Sequence, residues 1–462
     1  MPTHHLTHQD SHASTHEVAS VGFPRPLTTA RLGALVLMFV VVALAACDTS
    51  PETTSDASAS GTTPNRTTQS DSPSSDAVPP SVVRAPTPAP DVATTAETSD
   101  ASSTTQPAGA LCVETTKTWR TDLNQTGNRV GLGSVNFSAD PVVIELSDVP
   151  EWILPWGDSS DWYVVLADGT AIVVSPDGTT KPASAPPDAE PPELTIGVDG
   201  RPEVRSAWAD HDLFTNPLPD TRVVGSGDLV AALVDPTDRY DHGVLGDALE
   251  AGAVEILDRC TDERTRIEIA APSVIEGIAP MFADIDGDGA PEVLITTSNE
   301  MVGARLEAWT TGGELIARTD AIDRGRRWRN QLGVASTNPD GGIEIVDVRT
   351  PHLAGVVEFF RLDGDRLIRS ATLTDYTSHV LGSRNLDMGI LVDVTGDDRP
   401  EVVVYNRQRQ ELAAITRSID GAELATTQPL AGMGVTNISM QLHDGGASLA
   451  VGTSSELLYI WE

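Results

Sequence analysis

The sequence predicts an all-β domain built from repeated units, behind a long N-terminal segment that cannot form a core. From Leu111 to Glu462, short runs of Val, Ile, Leu, Phe and Tyr alternate with Asp-Gly and Gly-Gly turns, a pattern typical of many short antiparallel strands. Before Leu111 the chain is polar apart from one apolar run. Few stretches have a helical period, and the segment from Asp247 to Leu257 fits one best.

The charge of the chain restricts its partners. Lys and Arg number 30 against 67 Asp and Glu in 462 residues, which gives a formal net charge of −37 at pH 7. This balance argues against nucleic acid as a partner, because binding to phosphates requires a basic surface. A cation is the natural counterpart of such a surface.

Residues 1–46 have the organisation of an export signal. Two arginines precede an apolar run from Leu32 to Ala46, which is short for a bilayer-spanning helix but right for a signal-peptide core. The run ends in Leu-Ala-Ala-Cys47, which resembles the lipobox of bacterial lipoproteins. The resemblance implies acylation of Cys47, cleavage before it, and a membrane-anchored protein of the cell envelope outside the cytoplasm. An ordinary signal peptide or an uncleaved anchor is the alternative.

Residues 47–110 predict a disordered linker. Ser, Thr, Pro, Ala and Asp dominate this segment, and aromatic residues are absent from it. Such a composition cannot bury enough apolar surface to offset the entropy lost on ordering. We therefore expect a flexible stalk between the membrane anchor and the domain at 111–462.

The domain at 111–462 contains an internal repeat. The segment Phe282–Ile295 recurs as Leu391–Val404, and a decayed copy lies at Ser336–Ile345. The acidic residues that close the three loops are Glu292, Glu344 and Glu401, 52 and 57 residues apart, and a second turn follows each by 20 or 21 residues. Each copy reads as strand, acidic loop, strand, strand, tight turn, strand. Four antiparallel strands per repeat predict a blade of a β-propeller.

The length of the domain predicts seven four-stranded blades, and six or eight also fit. The chain stops after Leu457–Trp461, which would be the third strand of the last blade. The segment Pro141–Leu146 is well placed to supply the missing outer strand and to close the ring, which would leave few open sheet edges.

The copies resemble FG-GAP or VCBS repeats, the propeller repeats of integrin α-subunits and of many bacterial surface proteins. The resemblance is clear over Ile275–Leu430 and weak before it, and the Phe-Gly and Gly-Ala-Pro elements are not well kept. It implies a propeller in which the loop between the first two strands of a blade holds Ca²⁺.

The residue pattern of the first loop independently predicts calcium. The ligands it offers at positions 1, 3, 5, 7 and 9 are Asp284, Asp286, Asp288, the Ala290 carbonyl and Glu292. Calcium binds six to eight hard oxygens, and this spacing turns them toward one point. A helix–loop–helix site would need an acid at position 12, where the chain has Ile295. The alternative is that such loops are only turns.

The other two loops predict weaker sites. The second offers Asp393, Thr395, Asp397, the Arg399 carbonyl and Glu401, with a neutral oxygen in place of one carboxylate. The third offers Ser336, Asn338, Asp340 and Glu344 and is the poorest. One or two structural Ca²⁺ ions are therefore expected, coupled to folding rather than to chemistry.

Two cysteines of the domain predict a disulfide. Cys112 and Cys260 would lie outside the cytoplasm, where such pairs oxidise, and the alternative is two buried thiols.

No catalytic motif was found among zinc-protease, phosphate-loop and nucleophile-elbow patterns. The His–carboxylate neighbours at 210–212 and 238–242 are expected from composition alone. Six tryptophans could form a sugar-stacking platform but are better explained as blade packing: Trp152, Trp156, Trp162, Trp208, Trp309 and Trp328. We expect a non-catalytic, monomeric lipoprotein that binds a protein or glycan. A propeller enzyme acting on polysaccharide, a quinone-cofactor enzyme and an envelope assembly scaffold are the alternatives.

Overall fold

The computed structural model describes residues 126–156, 159–183, 213–443 and 446–462, and the backbone of residues 194–196 and 202–204. The predicted signal segment, the linker, Cys47 and Cys112 lie outside these ranges. Every element of regular structure in the described residues is a β-strand. Among the described residues, there is no helix long and apolar enough to cross a bilayer.

The strands follow one another in groups of four. After β1 (Val130–Ser134) and β2 (Val142–Glu145), the first group is β3 (Pro150–Pro155), β4 (Trp162–Leu166), β5 (Ala171–Val174) and β6 (Thr180–Pro182). A two-stranded sheet follows, β7 (Leu194–Ile196) and β8 (Pro202–Val204). The next group is β9 (Val224–Ser226), β10 (Leu229–Thr237), β11 (Glu250–Asp258) and β12 (Arg264–Glu268), and the short β13 (Val274–Ile275) comes after it.

Three further groups of four strands, and then one of three, complete the chain. The first has β14 (Met281–Ala283), β15 (Glu292–Ser298), β16 (Arg305–Trp309) and β17 (Leu315–Arg318). The second has β18 (Arg329–Ala335), β19 (Glu344–Arg349), β20 (Val356–Asp363) and β21 (Arg366–Thr374), followed by the short β22 (Tyr376–Thr377). The third has β23 (Gly389–Asp393), β24 (Glu401–Asn406), β25 (Glu411–Ser418) and β26 (Gly421–Pro429), and then come β27 (Ser439–His443), β28 (Gly446–Thr453) and β29 (Leu457–Trp461).

The predicted β-propeller is confirmed by this order. Within each group successive strands pair antiparallel, and the acidic loops join first strands to second strands as expected. The described strands form seven consecutive groups, the number predicted, of which the β7–β8 group has two described strands. Apolar side chains from neighbouring groups pack together; Val403 and Leu449, for example, belong to one buried cluster.

The last group is closed by a strand from the start of the domain. β2 pairs antiparallel with β29, from Val142 opposite Ile460 to Glu145 opposite Leu457. The sheet order is therefore β2-β29-β28-β27, and the predicted closing segment is confirmed.

The helical expectation for Asp247–Leu257 is wrong. Glu250–Asp258 is the strand β11, which pairs with β10 from Thr237 opposite Glu250 to Leu229 opposite Asp258. All but the last of its nine residues are buried. A strand covered on both faces has consecutive apolar residues, and periodicity cannot distinguish such a run from a buried helix.

The segment at 129–135, which precedes the first blade, lies beside the innermost strands of the propeller. β1 pairs in parallel with β23, the first strand of its group. The Arg129 side chain donates hydrogen bonds to the carbonyl oxygens of Gly389, at the start of β23, and Ile438, just before β27, both at 2.7 Å. The Val135 N–H then donates to the Asp393 carbonyl at 2.9 Å. Residues 129–135 thus run alongside the inner strands.

Antiparallel order gives the propeller two different faces. Loops after first and third strands lie on one face, which contains the acidic loops at 284–291, 336–343 and 394–400. Loops after second and fourth strands lie on the other, which we call the crossover face; it contains residues 238–249, 276–280 and 378–388.

Candidate metal centre

The loop at 284–292 brings carboxylates together. Oxygen atoms of Asp284, Asp286 and Glu292 lie within 4.8 Å of one another, and no other group of three His, Cys, Asp or Glu does so among the residues that the structure describes. Glu292 starts β15 and is buried, whereas Asp286 is exposed. The cluster therefore has one buried anchor and an open side toward solvent.

Backbone N–H groups hold these carboxylates in place. Asp284 accepts hydrogen bonds from the Gly287 N–H (2.7 Å) and the Gly289 N–H (3.0 Å), and Glu292 Oε2 accepts one from the Ile285 N–H (2.9 Å). Gly287 and Gly289 have φ values of 80° and 90°, which a side chain would disfavour. Asp288 lies outside this cluster, and its Oδ1 accepts the Ala290 N–H at 2.7 Å. The Ala290 carbonyl stays a predicted ligand.

The charge of this loop is uncompensated. Burial, together with the carboxylates of Asp286 and Asp284, raises the pKa of Glu292, and the Ile285 N–H opposes this. Ca²⁺ binds hard oxygen ligands at sites of negative electrostatic potential. The residues present therefore fit the predicted ion.

The second loop repeats the backbone pattern but carries its own cation. Asp393 accepts the Gly396 N–H (2.7 Å) and the Asp398 N–H (3.1 Å). The Arg399 guanidinium forms a salt bridge with Asp397 at 2.5 Å.

Two further side-chain contacts secure the second loop. Thr395 donates its hydroxyl to Glu401 at 3.2 Å, and Glu401 also accepts the Val394 N–H at 2.9 Å. Four of the predicted ligand residues are thus linked within the loop, although they do not form a cluster like the first.

The third loop is neutralised by two arginines. Glu344 is fully buried, and Arg417 of β25 donates to both of its oxygens at 2.9 and 3.0 Å. Arg361 of β20 lies 3.4 Å from Glu344 and also binds Asp340. Guanidinium groups thus occupy the surroundings where a metal ion would sit in the first loop. Sequence reasoning missed both arginines, since neither lies within the loop motif.

Other predicted features have mixed outcomes. Cys260 is disulfide-bonded in the structure, and its partner lies outside the described residues, so the pairing with Cys112 stays a prediction. Trp162 and Trp328 are buried, which agrees with blade packing. His242 contacts the Glu276 carboxylate rather than a neighbour in sequence.

Comparison with known proteins adds little beyond fold. No protein-family model matches the chain. No curated protein matches it either. Among solved structures, it is similar to BBS1N in complex with ARL6DN (13% identity, TM-score 0.38, covering 70% of this chain and 97% of that one).

Two other solved structures are similar at the same level. One is the Swd1 β-propeller domain of Myceliophthora thermophila (11%, TM-score 0.31, covering 68% and 96%). The other is the quinohemoprotein alcohol dehydrogenase ADHIIG of Pseudomonas putida HK5 (12%, TM-score 0.31, covering 72% and 54%). At these values the likenesses carry no argument about activity. The strand pairing defines the class of this protein as a β-propeller.

Proposed function

We propose that this chain is a lipoprotein anchored through Cys47 outside the cytoplasm, whose calcium-stabilised propeller of FG-GAP or VCBS type binds a protein or glycan without catalysis. The observation that carries the calcium assignment is the convergence of Asp284, Asp286 and Glu292, to which no salt bridge is seen among the residues that the structure describes. The lipobox-like end of the apolar run supports the anchor. The large net negative charge favours a surface exposed to cations.

The role of the ion in this proposal is structural. The loop joins two strands of one blade, and its carboxylates repel one another in the absence of a cation. Ion binding to the folded state alone stabilises that state by mass action. The ion would thereby hold the acidic-loop face in one conformation for a ligand to bind.

Calorimetric titration of Ca²⁺ into the chelator-treated chain tests the metal assignment, with Mg²⁺ as the control. We expect one or two sites selective for Ca²⁺ and a rise in melting temperature. Absence of selective binding would reduce the acidic loops to turns. The anchor is tested separately by Cys47→Ala, which should release the protein from the membrane fraction.

A further inference from the structure

A second acidic cluster lies on the crossover face, away from the acidic loops. β13 pairs antiparallel with β11 through Ala251 and Ile275, and one step further in this register places Glu250 opposite Glu276. Both residues are buried, with exposures of 2% and 1%. Like charges directly opposite each other destabilise a sheet, so this pair needs a compensating charge.

The compensation that the structure offers is incomplete. His242 Nδ1 contacts one oxygen of Glu276. The other oxygen of Glu276, and Oε2 of Glu250, have no partner in hydrogen-bonding geometry, although the Ser298 hydroxyl lies near Glu276 and the Gly277 N–H lies near Glu250. The nearby Arg384 binds Asp220 at 2.7 Å and also binds Asp247.

An unpartnered hydroxyl points to a ligand at the same place. Tyr240 is 2% exposed, and its Oη has no hydrogen-bond partner. Its ring meets the His242 ring edge-on at 5.6 Å between centroids, and burial with the charges of Glu276 and Glu250 raises its pKa. The Arg327 main chain approaches the hydroxyl outside hydrogen-bonding geometry.

The environment of the pair opposes two free negative charges. Burial, then the charge of Glu276, raises the pKa of Glu250 to about 10, and burial also raises the pKa of Glu276. Asp247 and Asp220 add to the effect on Glu250. Either a proton or a bound cation must therefore neutralise the cluster.

The donor geometry favours an organic cation over a metal ion. In the described part of the chain, three His, Cys, Asp or Glu ligand atoms come within 4.8 Å of one another only in the 284–292 loop. The carboxylate and imidazole groups of the crossover face do not meet this distance. A primary ammonium group has three N–H donors. Three acceptors here have no partner in hydrogen-bonding geometry: Glu250 Oε2, Glu276 Oε2 and Tyr240 Oη.

We propose that Glu250, Glu276 and Tyr240 form a binding site for a primary ammonium group, carried by a small amine or by a lysine side chain. His242, whose side chain is 16% exposed and contacts Glu276, is the most exposed residue of this group. The site lies on the face opposite the acidic loops and does not rest on the calcium proposal.

Calorimetric titration of methylammonium into the full chain at constant ionic strength tests this site. Tetramethylammonium, which has the same charge but no N–H donor, is the control. We expect saturable binding of methylammonium alone, in calcium and in chelator alike. A terminally blocked Gly-Lys-Gly peptide binding more tightly than cadaverine identifies a lysine as the source of the ammonium group, and the reverse identifies a free amine.

Matched variants connect the binding to these residues. Glu250→Gln keeps the size of the side chain and should weaken methylammonium roughly ten-fold or more, since it removes a charge-assisted hydrogen bond. Tyr240→Phe should have a smaller effect. Glu307→Gln, at a buried glutamate on β16, should leave binding unchanged.

Two results would overturn the proposal. One is a methylammonium signal no larger than that of tetramethylammonium. The other is equal affinity in the original chain and Glu250→Gln, with unfolding curves confirming that the variant folds. Either result would mean that a proton alone neutralises the pair.

Discussion

The loops at 284–292 and 336–344 occupy the same place in adjacent blades and neutralise their carboxylates differently. At 284–292, Asp284, Asp286 and Glu292 converge, and no salt bridge to them is seen in the described part of the chain. At 336–344, Arg417 and Arg361 reach Glu344 from other strands. The closing glutamate is buried in both loops. The chain supplies the counter-charge at 336–344, and in the function proposed above a calcium ion would supply it at 284–292.

The loop at 393–401 is intermediate between the two. It keeps the backbone hydrogen bonds of the first loop, while Arg399 occupies one carboxylate of its predicted set. The three loops therefore differ in how many arginines bind their carboxylates. Under the proposed function, a loop whose carboxylates are bound by arginines would not depend on the metal.

The largest loss of stability is expected at the loop at 336–344, where arginines bind Glu344. Arg417→Met leaves the buried Glu344 without its main partner, which should lower the free energy of unfolding by about 3–5 kcal/mol. Urea denaturation should give the same loss with and without calcium. Arg318→Met, at an exposed arginine on β17, is the control. A loss confined to calcium-free buffer would contradict the comparison.

The next effect concerns the loop at 284–292. Asp286→Ala should cost about 2.7 kcal/mol when calcium is present at a hundred times its Kd. In chelator it should cause no loss, because removing one carboxylate relieves repulsion of Glu292. Thermal unfolding in the two buffers measures this difference. Asp340→Ala, at the third loop, should lose little and lose it equally in both. An equal loss for Asp286→Ala in chelator would reject the metal assignment.

The two closing glutamates should respond to pH in opposite directions in chelator. Burial raises the pKa of Glu292 above its usual value, so its charge destabilises the fold near neutral pH and the cost disappears on acidification toward the unfolded-state pKa. For Glu344, burial is outweighed by Arg417 and neighbouring hydroxyls, which lower the pKa, so its contribution is lost as the pH falls below the unfolded-state value.

Melting temperatures of two variants across this pH range check the signs. Glu292→Gln should stabilise the metal-free protein at neutral pH and have no effect in acid. Glu344→Gln should destabilise it at neutral pH and less so in acid. The same sign for both would mean that the arginines do not distinguish the loops.

The smallest effect is a change in calcium affinity, expected at the loop at 393–401. Arg399→Gln frees Asp397 from its salt bridge and should tighten calcium binding there by roughly two- to five-fold, as expected for a partly exposed ion pair. Titration in an Asp286→Ala background isolates this site. Unchanged affinity would show that Arg399 does not compete with the ion.

Sequence patterns predicted the features that depend on neighbouring residues. The order of strands in a blade follows from alternating apolar runs and Gly turns, and the spacing of Asp284, Asp286 and Glu292 predicted their convergence. The closing strand was predicted because Leu457–Trp461 left a blade one strand short, and β2 occupies that position.

Features that depend on register between distant strands could not be predicted. Arg417 and Glu344 are 73 residues apart in the sequence, and no pattern in either segment predicts that they pair. Glu250 faces Glu276 because β13 pairs with β11, a contact that no periodicity encodes. The apolar run of β11 also fits a helix until its pairing partners are known.

The pairing of β2 with β29 has a consequence for biosynthesis. The chain emerges N-terminus first, so β2 is available long before its partner, which is translated more than three hundred residues later. Until then both edges of the growing array remain open to pairing with other chains. The entropic cost of closing a loop rises only slowly with its length, so the long separation of β2 and β29 adds little to the cost of joining them.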